Sequence, residues 1–211
     1  MNMIEYPKIN TIWKRDMTNK GRIIEGDWAC PEFEYLATNQ WLFTEKVDGT
    51  NIRIHWLAGH GTMVGGRTGN AQIPTFLYSK IQEILPAEKF EKSIDKTSEL
   101  ILFGEGYGAK IQKGGGNYIP NGVSFVLFDI LVDKWWLQRS DVEDVAEKLG
   151  IKVVPIIGQG TLFDATEKAR QGFTSRWGDF GAEGIVIRPE VEMFNRKGER
   201  ILAKIKHKDY K

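Results

Sequence analysis

WLFTEKVDGTNIRIHW, residues 41–56, joins two apolar runs through a polar centre. The first run ends at Lys46, and apolar residues resume at every second position from 52 to 56. Such alternation is typical of a half-buried strand. Asp48-Gly49 between the runs is a turn signal, because glycine tolerates positive φ and aspartate bonds to nearby backbone groups. The stretch therefore predicts a β-hairpin with Lys46 at the end of its first strand.

A lysine at the end of a strand, beside a tight turn, has two interpretations. It is either a solvated turn residue or a nucleophile held in a fixed position. A Lys-x-Asp-Gly string by itself favours the turn residue, since such strings are routine turn chemistry. The choice for Lys46 therefore depends on what the rest of the chain supplies.

The composition is that of an ordinary globular protein. The 211 residues are 41% hydrophobic and 27% charged, with a net charge of +1. This balance excludes a chain-wide basic field for nucleic acid, although a basic cluster from Arg196 to Lys211 can bind phosphate locally. Cys30 is the only cysteine, which excludes an intrachain disulfide and a cysteine zinc cluster.

The amino-terminal segment, Met1 to Asp16, mixes charged residues, proline and isolated apolar residues. It lacks the apolar core of a signal peptide, and no apolar run in the chain is long enough to span a bilayer. We therefore expect a soluble, cytoplasmic protein that is monomeric and has no membrane partner.

Other segments carry clear secondary-structure signals. Apolar runs predict further strands at residues 100–103, 123–130, 151–157, 184–188 and 200–205. Helices are predicted over 73–94 with an interruption at Pro86, from a Ser140–Glu143 capping box to Gly150, and from Asp164 towards Trp177. Residues 1–15 are expected to be irregular, and 28–35 to be a loop broken by Pro31. This pattern predicts an α+β fold, and without an obvious linker we expect residues 1–211 to form one domain.

Five short polar strings lie at predicted strand ends or between strands. They are Lys46-Val47-Asp48-Gly49, Phe103-Gly104-Glu105-Gly106, Phe128-Asp129-Ile130, Glu183-Gly184-Ile185-Val186-Ile187-Arg188 and Lys204-Ile205-Lys206. Each string alone is weak. In this order they resemble motifs I, III, IIIa, IV and V of the covalent nucleotidyltransferases, the superfamily of polynucleotide ligases and mRNA capping enzymes.

Within that superfamily the details resemble the RNA ligase 2 family. DNA ligases and capping enzymes usually carry arginine two positions after the motif I glycine, where this chain has Asn51. The string Arg67-Thr68-Gly69 is similar to one that carries an essential arginine of the family. The resemblance implies a nucleotidyltransferase domain, with antiparallel sheets flanked by helices around an ATP pocket. The chain ends soon after motif V, so we expect no C-terminal OB-fold or helical domain in it.

The resemblance implies a mechanism. Lys46 would attack the α-phosphate of ATP, expel pyrophosphate and hold AMP through a phosphoramide bond. An unperturbed lysine, with a pKa of about 10.4, is almost fully protonated near pH 7 and needs help to become a nucleophile. Positive charge from Lys204, Lys206 and a bound metal ion would supply it. The alternative for these two lysines is a solvated strand face, since their spacing puts both on one side of a strand.

The resemblance also implies a nucleotide site and a metal site. Glu105 would bind the ribose hydroxyls and Phe128 would stack on adenine, whereas their alternatives are a solvated turn glutamate and a core phenylalanine. The full nucleotide-binding set implied is Glu45, Lys46, Asn51, Arg67, Glu105, Phe128, Glu183, Lys204 and Lys206. Glu183 and Asp129 are the candidate ligands for Mg²⁺ or Mn²⁺. Asp129 alternatively pairs with a basic side chain, because an unpaired buried carboxylate is costly.

The function implied is that of an ATP-dependent RNA ligase, or its adenylating domain, in RNA repair. It would transfer AMP to an RNA 5′-phosphate and seal that end to a 3′-hydroxyl, with RNA ends or nicked RNA duplex as partners. One alternative is a DNA ligase or capping-type nucleotidyltransferase. The other is a non-catalytic module that binds nucleotides or nucleic-acid ends.

Overall fold

The computed structural model describes residues 4–95 and 97–211. The chain divides into two units, each with its own sheet and core. The central unit comprises the described residues up to Tyr6 and the described part of Asp48–Val154. The flanking unit comprises Pro7–Val47 and Pro155–Lys211.

The secondary structure alternates between strands and short helices. The strands are β1 (Asn10–Thr11), β2 (Trp13–Asp16), β3 (Arg22–Trp28), β4 (Trp41–Lys46), β5 (Thr50–Leu57), β6 (Gly61–Gly66), β7 (Glu99–Gly108), β8 (Val123–Val132), β9 (Trp135–Trp136), β10 (Lys152–Val153), β11 (Ile156–Gly160), β12 (Gly184–Pro189) and β13 (Ala203–Lys206). The α-helices are α1 (Pro31–Tyr35), α2 (Thr75–Ile84), α3 (Ala87–Ser93), α4 (Gly115–Tyr118), α5 (Arg139–Lys148) and α6 (Leu162–Gln171), and a 3₁₀ turn covers His207–Tyr210. None of the described helices is long and apolar enough to cross a membrane.

The central unit is built on a sheet of order β10-β8-β7-β5-β6, with β9 paired to the outer part of β8. Only the β10–β8 pairing within it is parallel, among the described strands. The alternating apolar residues of β5 point into a core that α2, α3 and α5 cover, and Trp56 stacks on Phe90 with ring centroids 5.7 Å apart. Burial of each such large side chain contributes about 1.5–3 kcal/mol.

The flanking unit is built on a sheet of order β1-β13-β12-β4-β11, and β2 pairs with β3 beside it. In this sheet β12 lies between β4 and β13 and is antiparallel to both. One face packs on α6, so Trp41, Phe43 and Ile185 are buried together with Leu162. This sheet places the ends of β4, β12 and β13 side by side.

The predicted hairpin of residues 41–56 is wrong, although both of its strands are present. β4 pairs with β11 and β12, whereas β5 pairs with β6 and β7. The chain leaves the flanking unit at Val47 and enters the central unit at Asp48. Alternation identifies a strand but says nothing about its partner, and here the partners of β4 are remote in sequence.

Several other predictions are confirmed for the fold class and for the kind of element that a segment forms. The α+β class is confirmed, and so are strands at 100–103, 123–130 and 184–188. Residues 73–94 form α2 and α3, with Pro86 directly before α3, and α5 ends at Lys148, two residues before Gly150, whose φ is +57°.

Other predictions need correction. Residues 31–35 are helical rather than a loop. Proline is tolerated at the first helical position, because a backbone N–H there would have no partner within the helix. The Ser140 capping box is absent, since α5 already starts at Arg139, whereas α6 is capped by Thr161 and Asp164 and ends before Gly172. The strand at 151–157 is split into β10 and β11, strands replace the irregular segment after residue 9, and β13 is shorter than 200–205.

Candidate active site

Three polar residues of the flanking unit meet at the ends of three adjacent strands. Gly184, the first residue of β12, lies opposite Lys46 on one side and opposite Lys206 on the other. Glu183 directly precedes Gly184. The sheet therefore brings Lys46 of motif I to Glu183 of motif IV, 137 positions later in the chain, and to Lys206 of motif V.

The Glu183 carboxylate is shared by the two lysines. Lys46 Nζ donates to Glu183 Oε2 at 2.5 Å, and Lys206 Nζ donates to Glu183 Oε1 at 2.5 Å. The Glu183 side chain is 13% exposed, and those of Lys46 and Lys206 are 20% and 22% exposed. Partial burial weakens solvent screening, so these contacts are stronger than ordinary surface ion pairs. The formal charges of these three side chains sum to +1.

Gly184 allows this close arrangement. A Cβ atom at this position would lie 2.3 Å from the carbonyl oxygen of Ile205 and 2.7 Å from Cα of Lys206. Both are backbone atoms that cannot move aside without opening the strand pair. Glycine is therefore required by close packing of β12 on β13, a role that the motif alone does not indicate.

Glu45 points to the opposite face of β4 from Lys46, as strand alternation requires. Its side chain is 1% exposed. One carboxylate oxygen accepts a hydrogen bond from the Ser175 hydroxyl at 2.5 Å, and the other accepts the Arg176 backbone N–H at 2.8 Å. Glu45 thus anchors the 175–176 segment beneath β4. Sequence reasoning missed Ser175 and Arg176, because neither carries a motif.

Lys204 lies on the same strand face as Lys206, two positions earlier. The residues between and before them, Ala203 and Ile205, are buried, whereas both lysines are partly exposed. Lys204 pairs with Val186 of β12, in the row next to that of Lys206. The predicted one-sided arrangement of the two lysines is confirmed.

The central unit brings together Asn51 and Glu105. They lie directly opposite each other on β5 and β7. Asn51 Oδ1 is buried and has no hydrogen-bond partner among the described residues. A Cβ atom on Gly104 or Gly106, the two neighbours of Glu105, would lie within 2.6 Å of a packed side chain, so glycine at both positions permits close packing.

Phe128 sits at a β-bulge in β8. Phe103 is opposite Asp129 and Gly104 is opposite Leu127, so Phe128 is the extra residue. A bulge re-aims the side chain that it displaces. Phe128 is partly exposed, whereas its neighbours Leu127 and Asp129 are buried. The alternative that Phe128 is an ordinary core residue therefore fits its two buried neighbours better than it fits Phe128.

Asp129 is fully buried and accepts a hydrogen bond from the hydroxyl of Tyr6. The Tyr6 ring, itself 6% exposed, meets the edge of Phe128 at 4.9 Å between centroids and lies 5.2 Å from Phe103. The assignment of Asp129 as a metal ligand stays a prediction, for a carboxylate that is buried and hydrogen-bonded. Tyr6 was missed by sequence reasoning, which treated the first fifteen residues as irregular.

Arg53 fixes two backbone segments of the central unit. Its buried guanidinium donates to the Gly66 carbonyl at 2.6 Å and to the Ile4 carbonyl at 2.9 Å. Burial lowers the pKa of Arg53, and the Glu5 carboxylate acts in the opposite direction. The first contact holds the end of β6, directly before the exposed Arg67; the second holds the segment that carries Tyr6.

The Asp48-Gly49 turn is held by the segment after β7, through a loop residue and the last residue of α4. The backbone N–H of Asp48 donates to the Tyr118 hydroxyl at 3.1 Å, and the Gln112 side chain donates to the Gly49 carbonyl at 3.1 Å. A Cβ atom on Gly49 would lie 2.2 Å from the Gly106 carbonyl oxygen. The turn that follows Lys46 is therefore fixed by packing and by two hydrogen bonds.

Over residues 4–95 and 97–211, no three His, Cys, Asp or Glu side chains converge into a preformed metal site. Mg²⁺ usually binds through one or two carboxylates and keeps several waters. Glu183, partly exposed beside Lys46, fits that chemistry with one carboxylate.

Comparison with known proteins identifies the family. The model of the RNA ligase family matches residues 39–206. No curated protein sequence matches the chain. Solved structures of Naegleria gruberi RNA ligase are similar in fold. A lysine-to-alanine mutant with ATP and Mn matches with a TM-score of 0.67 and 19% identity over 99% of this chain and 59% of that one.

Two further structures of that protein agree. The enzyme with PPi gives a TM-score of 0.65 and 20% identity over 100% of this chain and 59% of that one. A mutant with AMP and Mn gives 0.65 and 18% over 99% and 59%. The chain therefore spans about three fifths of the length of these structures. Because the family model covers most of its residues, the chain belongs to the RNA ligase family.

Proposed function

We propose that the chain is the adenylating part of an ATP-dependent RNA ligase and that Lys46 becomes joined to AMP. The observation that carries this proposal is the contact of Lys46 and Lys206 with one carboxylate, Glu183, in a chain of the RNA ligase family. A purely binding role has no need for a lysine held in this way. We take residues 1–211 as one nucleotidyltransferase region.

In the proposed step, Lys46 Nζ attacks the α-phosphorus of ATP. A nitrogen–phosphorus bond forms, the bond from the α-phosphorus to the bridging oxygen breaks, and pyrophosphate leaves. Nζ must first lose a proton. The contact with the Glu183 carboxylate holds Nζ in its ammonium form, so the proton would leave once a cation bound by Glu183 competes for that carboxylate. Lys206 and Lys204 would then face the negative charge of the phosphates.

For the nucleotide itself, we propose contacts from several of the motif residues. We propose that Glu105 and Asn51 bind the ribose and neighbouring polar groups. The side-chain oxygen of Asn51, Oδ1, is a buried acceptor without a partner among the described residues. We propose Phe128 for adenine, because its ring is partly exposed at a bulge. We also propose that Arg67 contacts the nucleotide. For Glu45 we propose that it positions the 175–176 segment beneath β4.

Glu183 is the proposed ligand for a divalent ion, Mg²⁺ or Mn²⁺. When bound, such an ion would neutralise phosphate charge and would weaken the hold of Glu183 on the Lys46 ammonium. Asp129 is not part of this proposal, because its carboxylate is fully buried and bound by Tyr6. The solved relatives that contain Mn and ATP or AMP support the choice of ligands.

The later steps follow from the family. AMP would pass from Lys46 to an RNA 5′-phosphate, and attack by a 3′-hydroxyl would then release AMP and seal the strand. RNA ends or nicked RNA duplex are the proposed partners, with a monomeric protein in the cytoplasm. The single cysteine supports a reducing compartment.

The test is incubation with α-labelled ATP and Mg²⁺, followed by denaturing electrophoresis. Wild-type protein should keep the label, Lys46→Ala should not, and Lys168→Ala, a partly buried lysine elsewhere in the flanking unit, should label normally. An unlabelled wild type with both Mg²⁺ and Mn²⁺ would contradict the proposal. Repeating the assay with α-labelled GTP, then supplying nicked RNA or nicked DNA, separates RNA ligase from the DNA ligase and capping alternatives.

A further inference from the structure

A short hairpin joins β12 to β13 in the flanking unit, and we call residues 191–200 the 191–200 hairpin. Phe194 and Arg200 form an isolated antiparallel bridge across it. The backbone N–H of Asn195 donates to the Glu199 carbonyl at 2.9 Å, and that of Gly198 donates to the Asn195 carbonyl at 3.0 Å. None of the active-site residues proposed above lies in this hairpin.

Side chains make the hairpin rigid. Asn195 Oδ1 accepts the backbone N–H groups of Lys197 and Glu199, each at 2.9 Å, and Asn195 Nδ2 donates to the Glu199 carboxylate at 2.8 Å. Arg200, whose side chain is 1% exposed, makes a two-pronged contact with Glu192 at 2.6 and 2.9 Å. A surface fixed in advance loses little conformational entropy when it binds a partner.

The rigid hairpin presents one aromatic ring and two cations to solvent. Phe194 is 51% exposed, and Arg196 and Lys197 are exposed. Neither cation forms an ion pair with any described residue. Of the nearby carboxylates, Glu192 is paired with Arg200, whereas Glu199 accepts a hydrogen bond from the neutral Asn195 amide and keeps its charge. Arg196 and Lys197 therefore outweigh Glu199 and leave the tip with excess positive charge next to an exposed ring.

We infer that the 191–200 hairpin is a contact surface for a single strand of RNA. Phe194 stacks on a base, and Arg196 and Lys197 contact neighbouring backbone phosphates. Aromatic rings interleaved with cations are the usual means of binding single-stranded nucleic acid, because every base has a face to stack and every nucleotide has a charge. This inference rests on the proposed RNA ligase function. The hairpin lies at the end of the β12–β13 pair opposite Glu183 and Lys206, about 20 Å along the strands, so it would hold the RNA at a distance from the ends to be joined.

The test measures binding of a labelled single-stranded RNA by the complete chain. Phe194→Ala should weaken binding about 5- to 150-fold, as expected for loss of one stacked base. Phe163→Ala is the matched control, since Phe163 is 53% exposed in the same unit. Replacing Arg196 and Lys197 by serine should lower the slope of log affinity against log salt by about 1.4, or 0.7 for each lost phosphate contact. The pair Lys8 and Lys20, also exposed, is the control for charge.

The outcomes separate this inference from the proposed function. The Phe194 and Arg196/Lys197 variants should form lysyl-AMP at the wild-type rate, because they lie outside the adenylating site. Equal RNA binding by Phe194→Ala and Phe163→Ala would overturn the inference, and so would a wild type that binds no RNA. A change of sedimentation with Phe194→Ala and unchanged RNA binding would also overturn it, in favour of a protein partner. A wild type that never labels with AMP would instead refute the proposed function.

Discussion

Glu183 is the residue on which the proposed chemistry most depends. Its two oxygens bind ammonium groups from two strands, one of them the proposed nucleophile. A carboxylate in this position both fixes Lys46 and balances charge when nothing is bound. The same carboxylate is exposed enough to bind an ion. The sequence pointed to Glu183 through its motif, but it did not predict that both lysines would share it.

Replacing Glu183 by glutamine removes the charge and keeps the shape. Two partly buried ammonium groups then lose their counter-charge, so the free energy of unfolding should fall by about 1–3 kcal/mol. Lysyl-AMP formation should fall at least tenfold, since Lys46 is no longer held. Urea unfolding and the labelling assay measure the two effects. Glu167→Gln, an exposed glutamate on α6, should change neither, and a Glu183→Gln protein that labels at full rate would contradict the assignment.

Tyr6 should be tested by removal of its hydroxyl. Tyr6→Phe leaves the buried Asp129 carboxylate without one hydrogen bond, which should cost about 1.5–3 kcal/mol of stability. Half-maximal labelling should need an unchanged ATP concentration, because phenylalanine keeps the ring that contacts Phe128. Tyr35→Phe, at a side chain 86% exposed, should shift stability by less than about 0.5 kcal/mol. Equal stability of the two variants would show that the Tyr6 contact is not formed in solution.

Cys30 gives a prediction about pH. Burial, followed by contacts with Glu32, raises the pKa of the thiol from 9.0 to about 11. At pH 8 the folded protein should hold about a hundredfold less thiolate than an unfolded chain, so alkylation by iodoacetamide should be slower by a similar factor. Because the folded pKa is raised, the stabilising effect is complete below pH 9 and is lost as pH rises towards 11. Alkylation that is equally fast with and without urea would contradict this.

At the scale of elements, the chain shows which features local sequence determines. The alternation of residues 41–56 correctly indicated two strands, and Pro86 correctly separated α2 from α3. The pairing of β4 with β12 was not predictable, because the stabilising contacts join residues about 140 positions apart. The start of α5 was missed since its helix begins without a side-chain cap, so packing of Val142 and Ala146 outweighs the weak local signal.

The alignment of β4, β12 and β13 can be tested at Gly184. In Gly184→Ala the new Cβ would lie 2.3 Å from a backbone oxygen, so the strands must separate. We expect a loss of about 1–3 kcal/mol in stability from overpacking, together with loss of labelling. Gly181→Ala is the control, because a Cβ there meets nothing within 4 Å. Normal labelling by Gly184→Ala would show that the tight strand contact is not needed to position Lys46.

At the scale of the whole molecule, the chain crosses between its two units at three places, after Tyr6, after Val47 and after Val154. No Gly-, Ser- or Pro-rich linker marks these crossings, so composition could not predict them. The order of the motifs along the chain also gives no sign of which unit each motif belongs to. Lys46, Glu183, Lys204 and Lys206 belong to the flanking unit, whereas Asn51, Glu105 and Phe128 belong to the central unit. Contacts such as Ser175 with Glu45 were missed because 130 residues separate them.

The most direct test is intact-protein mass spectrometry after incubation with ATP and Mg²⁺, followed by peptide mapping. We expect a mass increase of one AMP moiety per chain, located on the peptide that contains Lys46 and removed by excess pyrophosphate. Lys46→Arg should show no increase, although it keeps the positive charge beside Glu183. An AMP adduct on any other residue, or a Lys46→Arg protein that still gains AMP, would contradict this expectation.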